Sequence, residues 1–388
     1  MNPVIPCLLT IAAAAAEPPV FVGSAERPVL SYREARPEGA YEVTVEFGAA
    51  DVDSVTTLKA ETRRLMALNV AVPKGRTETR RFLVDVRRPG YPGGRVAIKS
   101  REEGTPSWDD YLSLEFLGVA GRARLVSVRP ADASVVRVFL AGDSTVCDQR
   151  TEPYVGWGQQ LPVFFGPGAV VANHAESGRA LRSFKAERRL DKILAQLRAG
   201  DFVLIQFGHN DQKEKGPDVG PFTTYASRLR DYVKAVRAKG GRPVLVTAVA
   251  RRRFDEQGRV FESLGDYPEA VRRVAAELAV PLVDLNESSK RLYQALGAEP
   301  SKLALLHYPP RTFPGQTAAL ADDTHFSAYG AYEMARCVVE GFRTGVPELS
   351  ALLMAGAAVP FDPERPDAPG SLSIPASPLT SGEKPEGR

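Results

Sequence analysis

Apolar and polar residues alternate with a period of two along the first third of the chain. The clearest run alternates four apolar residues with charged or hydroxyl side chains: Tyr41, Val43, Val45 and Phe47. Similar runs follow around residues 82–86 and 112–116, and a later run places Leu125 and Ser127 on one face. Short alternating strands separated by turn-forming Pro and Gly clusters, with no helical pattern, predict an antiparallel β-sandwich over residues 17–130.

Beyond residue 130, short apolar runs alternate with helical periodicity. The apolar runs predict buried strands at Val135–Leu140, Ala169–Ala172, Phe202–Phe207, Val244–Val249 and Pro281–Leu285. Helical spacing predicts helices at Asp191–Leu197, at Tyr225–Val236, at Tyr267–Leu278 and from Ser327 through Val338. This alternation predicts a mainly parallel sheet with helices on both faces, in a second domain at residues 131–350.

The two ends of the chain differ from these domains. Residues 1–16 contain an apolar, alanine-rich segment with an A-x-A pattern, although no Lys or Arg precedes Arg27. We expect a secretory signal peptide there, and therefore a secreted or periplasmic protein. Residues 351–388 are rich in Pro, Gly and Ser, a composition that by itself predicts loop or disorder.

Composition narrows the class of protein. The 388 residues are 44% hydrophobic and 25% charged, which allows sizeable cores in two domains. A net charge of +3 does not indicate nucleic-acid binding, and no internal apolar run approaches the length of a membrane span. The three cysteines, Cys7, Cys147 and Cys337, form neither a disulfide framework nor a zinc pattern. For Cys147 and Cys337, buried thiols are favoured over a disulfide. We expect no metal, no cofactor and a monomer.

Four polar segments fall just after predicted strands or at a helix start, so a parallel sheet would bring them to one edge. They are Gly142–Ser144, Glu176–Gly178, Gly208–Asp211 and Asp322–His325. Taken singly, each has an ordinary structural interpretation as a helix cap, a turn or a loop. Together they contain every group that serine acyl transfer requires.

The roles follow from the chemistry of each residue type. Ser144 can attack a carbonyl only if a base removes its proton, and His325 is a suitable base. Asp322 is close enough in sequence to hold the imidazole in the required tautomer. The backbone N–H groups of Ser144 and Gly178 and the side-chain amide of Asn210 are candidate donors to an oxyanion.

The four blocks resemble those of the SGNH (GDSL-type) hydrolase superfamily, in the same order. They read G-D-S-T, N-H-A-E-S-G-R, Q-F-G-H-N-D and D-D-T-H-F-S-x-x-G, and the resemblance spans about residues 135–343. Within this superfamily, the chain most resembles the rhamnogalacturonan acetylesterase-like members. The resemblance lies in G-D-S-T, which replaces G-D-S-L, and in the later segments G-W-G, A-R-R-R-F and G-D-Y-P.

This resemblance implies a three-layer α/β/α, flavodoxin-like catalytic domain, which follows a sandwich of the jelly-roll, galactose-binding-like type. It also implies the same site: Ser144 as nucleophile, Asp322 and His325 as its partners, and Gly178 and Asn210 in the oxyanion hole. The D-x-T-H pattern favours Asp322 over its neighbour Asp323. For residues 359–378, the resemblance implies packing against the catalytic domain, contrary to the composition.

The implied activity is that of a secreted carbohydrate O-acetylesterase that deacetylates a plant cell-wall polysaccharide, pectic rhamnogalacturonan, and so contributes to pectin degradation. His209 would shape the pocket. Arg251 and Arg252 follow a predicted strand, where they either bind a galacturonate carboxylate or form a solvated charge run. Trp157 and Tyr267 either stack on sugar rings or pack in the core.

Other polar residues have structural interpretations. Asp143 is expected to stabilise a turn, His174 to follow a strand as a structural residue, and His307 to lie in an insertion. Three other functions stay open: a general GDSL esterase or lipase acting on small esters, an acetylxylan-type esterase, and an inactive sugar-binding protein. The sandwich is expected to be structural, because no exposed aromatic cluster indicates sugar binding.

Overall fold

A computed structural model describes residues 19–313 and 316–378. The predicted signal peptide at residues 1–16 lies outside the described residues. Within them, an antiparallel β-sandwich precedes a parallel α/β domain, as the change of periodicity near residue 130 predicts. Among the described residues, none of the helices combines the length and hydropathy needed to cross a bilayer.

The sandwich is built from two four-stranded antiparallel sheets. Its strands, together with a short hairpin (β7–β8), are β1 Val20–Val22, β2 Val29–Ala35, β3 Gly39–Ala49, β4 Ser54–Ala60, β5 Arg64–Val72, β6 Arg76–Val86, β7 Gly90–Tyr91, β8 Gly94–Arg95, β9 Tyr111–Leu117 and β10 Arg122–Pro130. One sheet has the order β1-β10-β3-β6 and the other β2-β9-β4-β5. The finer jelly-roll assignment remains a prediction.

The alternating apolar residues of the sequence form the core of the sandwich. Tyr41, Val43, Val45 and Phe47 on β3 are all buried, and they meet apolar residues of β4, β5 and β9 from the other sheet. The prediction that Ser127 shares a face of β10 with Leu125 is wrong, because the register with β3 shifts between these two residues. This β-bulge turns Val128, and not Ser127, toward the core.

The second domain contains a five-stranded parallel sheet of order β12-β11-β13-β14-β15, beside a separate two-stranded hairpin. Its strands are β11 Val136–Gly142, β12 Ala169–Asn173, β13 Phe202–Gln206, β14 Arg242–Val246, β15 Leu282–Val283, β16 Leu305–Tyr308 and β17 Leu320–Phe326. Its helices are α1 Trp157–Gln160, α2 Leu181–Ala186, α3 Arg189–Gln196, α4 Ala226–Ala238, α5 Tyr267–Glu277, α6 Leu285–Leu296, α7 Ala328–Gly345 and α8 Pro347–Ser350.

Successive residues of β11 pack against helices on opposite faces of the sheet. Val138 and Leu140 join a core with α6 and α7, whereas Phe139 and Ala141 join one with α2 to α5. The predicted three-layer α/β/α fold with a parallel sheet is therefore confirmed. The strand order places β11 between β12 and β13, so the loops after these strands meet at one edge.

One part of this domain differs from the prediction. Asp322 and His325 lie within β17, which pairs antiparallel with β16, and not in a loop before a helix. His307, expected in an insertion, belongs to β16. The final helix does begin after Ser327, whose side chain accepts a hydrogen bond from the Gly330 N–H at 3.2 Å.

The C-terminal extension packs along the molecule. The Tyr329 hydroxyl on α7 donates to the Asp367 carbonyl at 2.6 Å, and the Phe361 ring lies 4.0 Å from the Arg336 guanidinium. Further on, Ser377 is buried and its N–H donates to Glu152 Oε1 at 3.0 Å. Composition alone predicted a loose segment, but backbone hydrogen bonds to buried side chains order it up to residue 378. Cys147 and Cys337 are buried free thiols.

Candidate active site

Ser144 lies two residues beyond β11, at the carboxyl edge of the parallel sheet. Gly142 allows this by its small size, because a Cβ there would lie 2.5 Å from Val146 Cγ2 and 3.1 Å from the Gln206 carbonyl oxygen. The tight turn predicted at Gly142 is therefore present. Glycine is required there because neighbouring atoms leave no room for a side chain. Asp143 stabilises the turn, since its Oδ1 accepts hydrogen bonds from the N–H and hydroxyl of Thr145 at 3.0 and 2.8 Å.

Ser144, His325 and Asp322 form a continuous hydrogen-bonded series. His325 Nε2 lies 2.8 Å from Ser144 Oγ, and His325 Nδ1 lies 2.8 Å from Asp322 Oδ2. The other oxygen of Asp322 accepts the backbone N–H groups of Thr324 and His325, at 2.9 and 3.1 Å. All three side chains are buried. The carboxylate is thus fixed on one ring nitrogen and the serine hydroxyl on the other.

Asp323 is directed to different partners. Its Oδ1 lies 2.9 Å from Arg252 Nη1 and 3.0 Å from His307 Nε2, and its Oδ2 lies 3.5 Å from Arg253 Nη1. The pairing of β17 with β16 is irregular between Asp322 and Phe326, and the Asp322 carboxylate folds back over the N–H groups of Thr324 and His325. This local geometry brings Asp322, and not Asp323, to the His325 ring. The arrangement agrees with the choice of Asp322 from the D-x-T-H pattern.

The expected oxyanion donors Gly178 and Asn210 lie in the segments that follow β12 and β13, the two neighbours of β11 in the sheet. Gly178 has a φ of +78°, in the left-handed region, and the loop before it is held to β11 because the Glu176 N–H donates to the Gly142 carbonyl at 3.1 Å. Asn210 Nδ2 donates to the Arg179 carbonyl at 3.1 Å, and Lys213 Nζ donates to Asn210 Oδ1 at 3.1 Å. These contacts orient the Asn210 amide and leave its nitrogen a second hydrogen to donate.

His209 contacts Asp143, the residue before Ser144. Its Nδ1 is 3.3 Å from Asp143 Oδ2, and both side chains are buried. Burial favours a higher pKa for Asp143, but the nearby His209 and the hydrogen bonds from Thr145 outweigh it and lower the pKa overall. Asp143 therefore stays ionised and supports the turn that presents Ser144.

Two of the four side chains expected to contact the substrate, Trp157 and Arg252, are engaged in contacts within the protein. Trp157 is fully buried and its Nε1 donates to Gln206 at 2.8 Å, so its ring is not free to stack on a sugar. Arg252 donates through Nε to the Ser301 hydroxyl at 3.0 Å, as well as to Asp323, which makes it a structural side chain of the hairpin region.

Arg251 and Tyr267 are partly exposed near the site. When the Gln212 amide oxygen faces Arg251, it accepts from both Nη atoms at 2.8 and 2.6 Å. Burial and the nearby Arg253 lower the Arg251 pKa, against the opposing effect of the Asp143 and Asp322 carboxylates. The Tyr267 hydroxyl donates to the Asp211 carbonyl at 3.3 Å, while its ring packs edge-on against Tyr225.

Two further residues contact Ser144 and His325 and were not predicted. Gln149 Nε2 donates to the Ser144 carbonyl at 2.8 Å. The Tyr154 ring packs edge-on against the His325 imidazole with centroids 6.1 Å apart, and burial raises the pKa of Tyr154 to about 12. Neither residue belongs to a block with a recognisable pattern, so only the fold brings them to the site.

Among the described residues, no group of three or more His, Cys, Asp or Glu side chains is arranged to hold a metal ion. His174 fits its structural interpretation: it is fully buried between Trp108 and Phe139, with ring centroids 5.9 and 5.7 Å away. Burial, reinforced by nearby arginines and a lysine, lowers its pKa well below the usual value, so it stays neutral.

Comparison with known proteins agrees with this geometry. Residues 140–331 match the model of the GDSL-like lipase/acylhydrolase family. The rhamnogalacturonan acetylesterase RhgT of Bacillus subtilis is 45% identical over 215 residues, which are 55% of this chain and 92% of that protein. The chain belongs to the GDSL-like lipase/acylhydrolase family. The predicted SGNH hydrolase, similar to rhamnogalacturonan acetylesterases, is thus confirmed, and with it the assignment to the carboxylic ester hydrolases.

Two other relatives extend the comparison. The probable rhamnogalacturonan acetylesterase YesY of B. subtilis is 34% identical over 220 residues, 56% of this GDSL-like chain and 97% of that protein. The crystal structure of B. subtilis YxiM is 23% identical, with a TM-score of 0.47, and the similarity covers 81% of this chain and 80% of that one.

Proposed function

We propose that this protein is a serine esterase that removes O-acetyl groups from a plant cell-wall polysaccharide, pectic rhamnogalacturonan, through an acyl-enzyme on Ser144. The observation that carries this proposal is the hydrogen-bonded series of Ser144, His325 and Asp322, with 2.8 Å at each contact of the imidazole. A serine hydroxyl, an imidazole and a buried carboxylate in this order are the parts of a nucleophilic triad.

In the acylation step, Ser144 Oγ attacks the acetyl carbonyl carbon while His325 Nε2 takes the hydroxyl proton. Asp322 keeps Nδ1 protonated, so that Nε2 is free to act as the base and the resulting imidazolium is stabilised. The carbonyl π electrons move to oxygen, and the oxyanion faces the N–H groups of Ser144 and Gly178 and the Asn210 amide. When the tetrahedral intermediate collapses, the bond to the sugar oxygen breaks and the Nε2 proton passes to that oxygen.

Deacylation repeats these steps with water. His325 removes a proton from a water molecule that attacks the acetyl-Ser144 carbonyl, and the second intermediate collapses to acetate. Ser144 Oγ leaves and recovers its proton from Nε2, which restores the starting state. Every proton transfer uses His325, and no metal ion or cofactor is required.

The choice of substrate has two supports. RhgT and YesY, each matched over more than nine-tenths of its length, are named a rhamnogalacturonan acetylesterase and a probable rhamnogalacturonan acetylesterase. In addition, Arg251 places a partly exposed guanidinium near the triad, where it suits the carboxylate of a galacturonate residue. We propose a secreted or periplasmic monomer whose substrate is an acetylated polysaccharide.

Replacement of Ser144 by Ala tests the nucleophile. The variant should fold with an unchanged Tm, because a single hydroxyl is lost, and its kcat on p-nitrophenyl acetate should fall on the order of a thousandfold or more. Ser134→Ala, an exposed serine before β11, is the matched control and should keep full activity. If Ser144→Ala retained most of the rate, Ser144 would not be the nucleophile.

A further inference from the structure

The turn between β4 and β5 of the sandwich is buried against the loop that carries the nucleophile. We call residues 143–156, between β11 and α1, the nucleophile loop. The Thr62 carbonyl accepts a hydrogen bond from Gln159 at 2.6 Å, and Arg64 Nε donates to Asp148 Oδ2 at 2.7 Å. This turn, together with Arg64 at the start of β5, therefore contacts the loop and the helix that follows it.

Arg63, in the same turn, binds three residues of the nucleophile loop. Its Nη1 donates to the carbonyl of Gln149 at 3.0 Å and to that of Tyr154 at 3.1 Å. Its Nη2 lies 2.5 Å from Glu152 Oε2. The side chain is buried, with 6% of its surface exposed, so its contacts are made away from bulk solvent. One guanidinium thus joins both ends of the loop segment 149–154.

Each end of that segment leads to a reacting group. Gln149 donates through its side chain to the Ser144 carbonyl at 2.8 Å. At the other end, the Tyr154 ring packs against His325, and the Val155 N–H donates to the carbonyl of Phe326, next to His325 in β17, at 3.2 Å. Movement of the segment would therefore displace the nucleophile and the base relative to each other.

We propose that Arg63 is a positioning residue, and that through it the sandwich sets the geometry between Ser144 and His325. The inference rests on the proposed function, since it assigns Arg63 a part in the same reaction. Displacement of reacting groups by about 1 Å can lower a rate on the order of a hundredfold. Arg63 lies outside residues 140–331, which match the family model, so the contact comes from a part of the chain that the family model does not cover.

A second contact of the sandwich reaches the loop that carries Gly178. Arg101 donates through Nε to Glu176 Oε1 at 3.2 Å and through Nη2 to the Ser177 carbonyl at 3.2 Å. Ser177 immediately precedes Gly178, a proposed oxyanion donor. The sandwich therefore contacts the loops of both the nucleophile and the oxyanion hole, which supports a role in the reaction beyond anchoring the domain.

Arg63→Lys tests the proposal in the full chain. Lysine keeps a cation for Glu152 but lacks the planar fork that binds two carbonyls and a carboxylate together. We expect kcat on p-nitrophenyl acetate to fall about tenfold to a hundredfold with KM little changed. Lys59→Met is the matched control: Lys59 lies 3.6 Å from the same Glu152, but its other hydrogen bonds go to Pro375 and Ser377 in the C-terminal extension.

The control should lose stability but keep the wild-type kcat. Amide hydrogen exchange of peptides from the nucleophile loop provides a measurement independent of activity: exchange should be faster in Arg63→Lys and unchanged in Lys59→Met. A wild-type kcat and wild-type exchange in Arg63→Lys would overturn the proposal, and so would equal losses of kcat in both variants. If the wild-type protein hydrolysed no ester, the proposed function would fail, and the exchange result would still decide whether Arg63 orders the loop.

Discussion

At the scale of single residues, Asn210 is oriented by the groups around it. Lys213 binds its oxygen and the Arg179 carbonyl binds one hydrogen of its nitrogen, so the amide cannot be reversed without losing both contacts. The remaining hydrogen is therefore available before the substrate arrives. Donors fixed in advance stabilise an oxyanion at little cost in reorganisation, which is the basis of the proposed role.

Asn210→Ala should lower kcat on the order of a hundredfold or more, because one oxyanion donor is lost in the transition state. KM should change little, since the ground-state carbonyl carries no full charge. Steady-state kinetics on an acetyl ester would show the division between the two constants, with Tm measured to verify folding. A loss confined to KM would instead make Asn210 a residue that binds the substrate.

At the scale of elements, Asp211 joins the turn after β13 to the start of α2. Its Oδ1 accepts the Leu181 N–H at 3.0 Å, and burial raises the pKa of Asp211 to about 7 from an ordinary 3.8. The folded protein thus keeps this proton at pH values where the unfolded chain has released it. The stability that this group contributes is complete below about pH 3.8 and is lost as the pH rises through about 7.

Asp211→Asn should remove this pH dependence, because the amide oxygen can still accept the Leu181 N–H and carries no charge. The free energy of unfolding of the variant, relative to that of the wild type, should therefore increase from pH 5 to pH 8. The size of this increase follows from the pKa shift of Asp211 and should be up to about a few kcal/mol. Denaturant titrations of both proteins at the two pH values would measure the difference. An identical difference at both would contradict the assignment of a buried, protonated Asp211.

Periodicity predicted most strands because one or both faces of each strand are buried. The inward residues of β3 and the continuous apolar run of β11 are examples. It failed for β17, whose sequence L-A-D-D-T-H-F has no apolar alternation and whose pairing with β16 depends on the tertiary structure. The bulge in β10 was also missed, since nothing local marks the extra residue between Leu125 and Ser127.

At the scale of the whole molecule, buried ion pairs join the sandwich to the catalytic domain. Besides Arg63 with Glu152, they include Arg64 with Asp148 at 2.7 Å and Arg189 with Glu102 at 2.6 Å. Charges removed from water are costly unless they are paired and hydrogen-bonded, so each pair favours one relative placement of the two parts. We infer that the sandwich is an integral part of this hydrolase.

The hydrogen-bonded series of Ser144, His325 and Asp322 could be predicted from the sequence, but these interface residues could not. Ser144, Gly178, Asn210 and His325 stand in short blocks whose order and position after strands are informative by themselves. Arg63 binds the carbonyl of Tyr154, 91 residues away, and no local pattern identifies a cation with such a partner. Likewise, only the packing shows that Trp157 is enclosed in the core.

The central claim is deacetylation of rhamnogalacturonan at Ser144, and release of acetate tests it most directly. Acetate should be measured for the wild type and Ser144→Ala in parallel on acetylated rhamnogalacturonan, homogalacturonan and xylan. We expect the wild type to release acetate fastest from rhamnogalacturonan, and Ser144→Ala to release almost none from any polymer. A preference for xylan would contradict the substrate, and equal release by both proteins would contradict the serine mechanism.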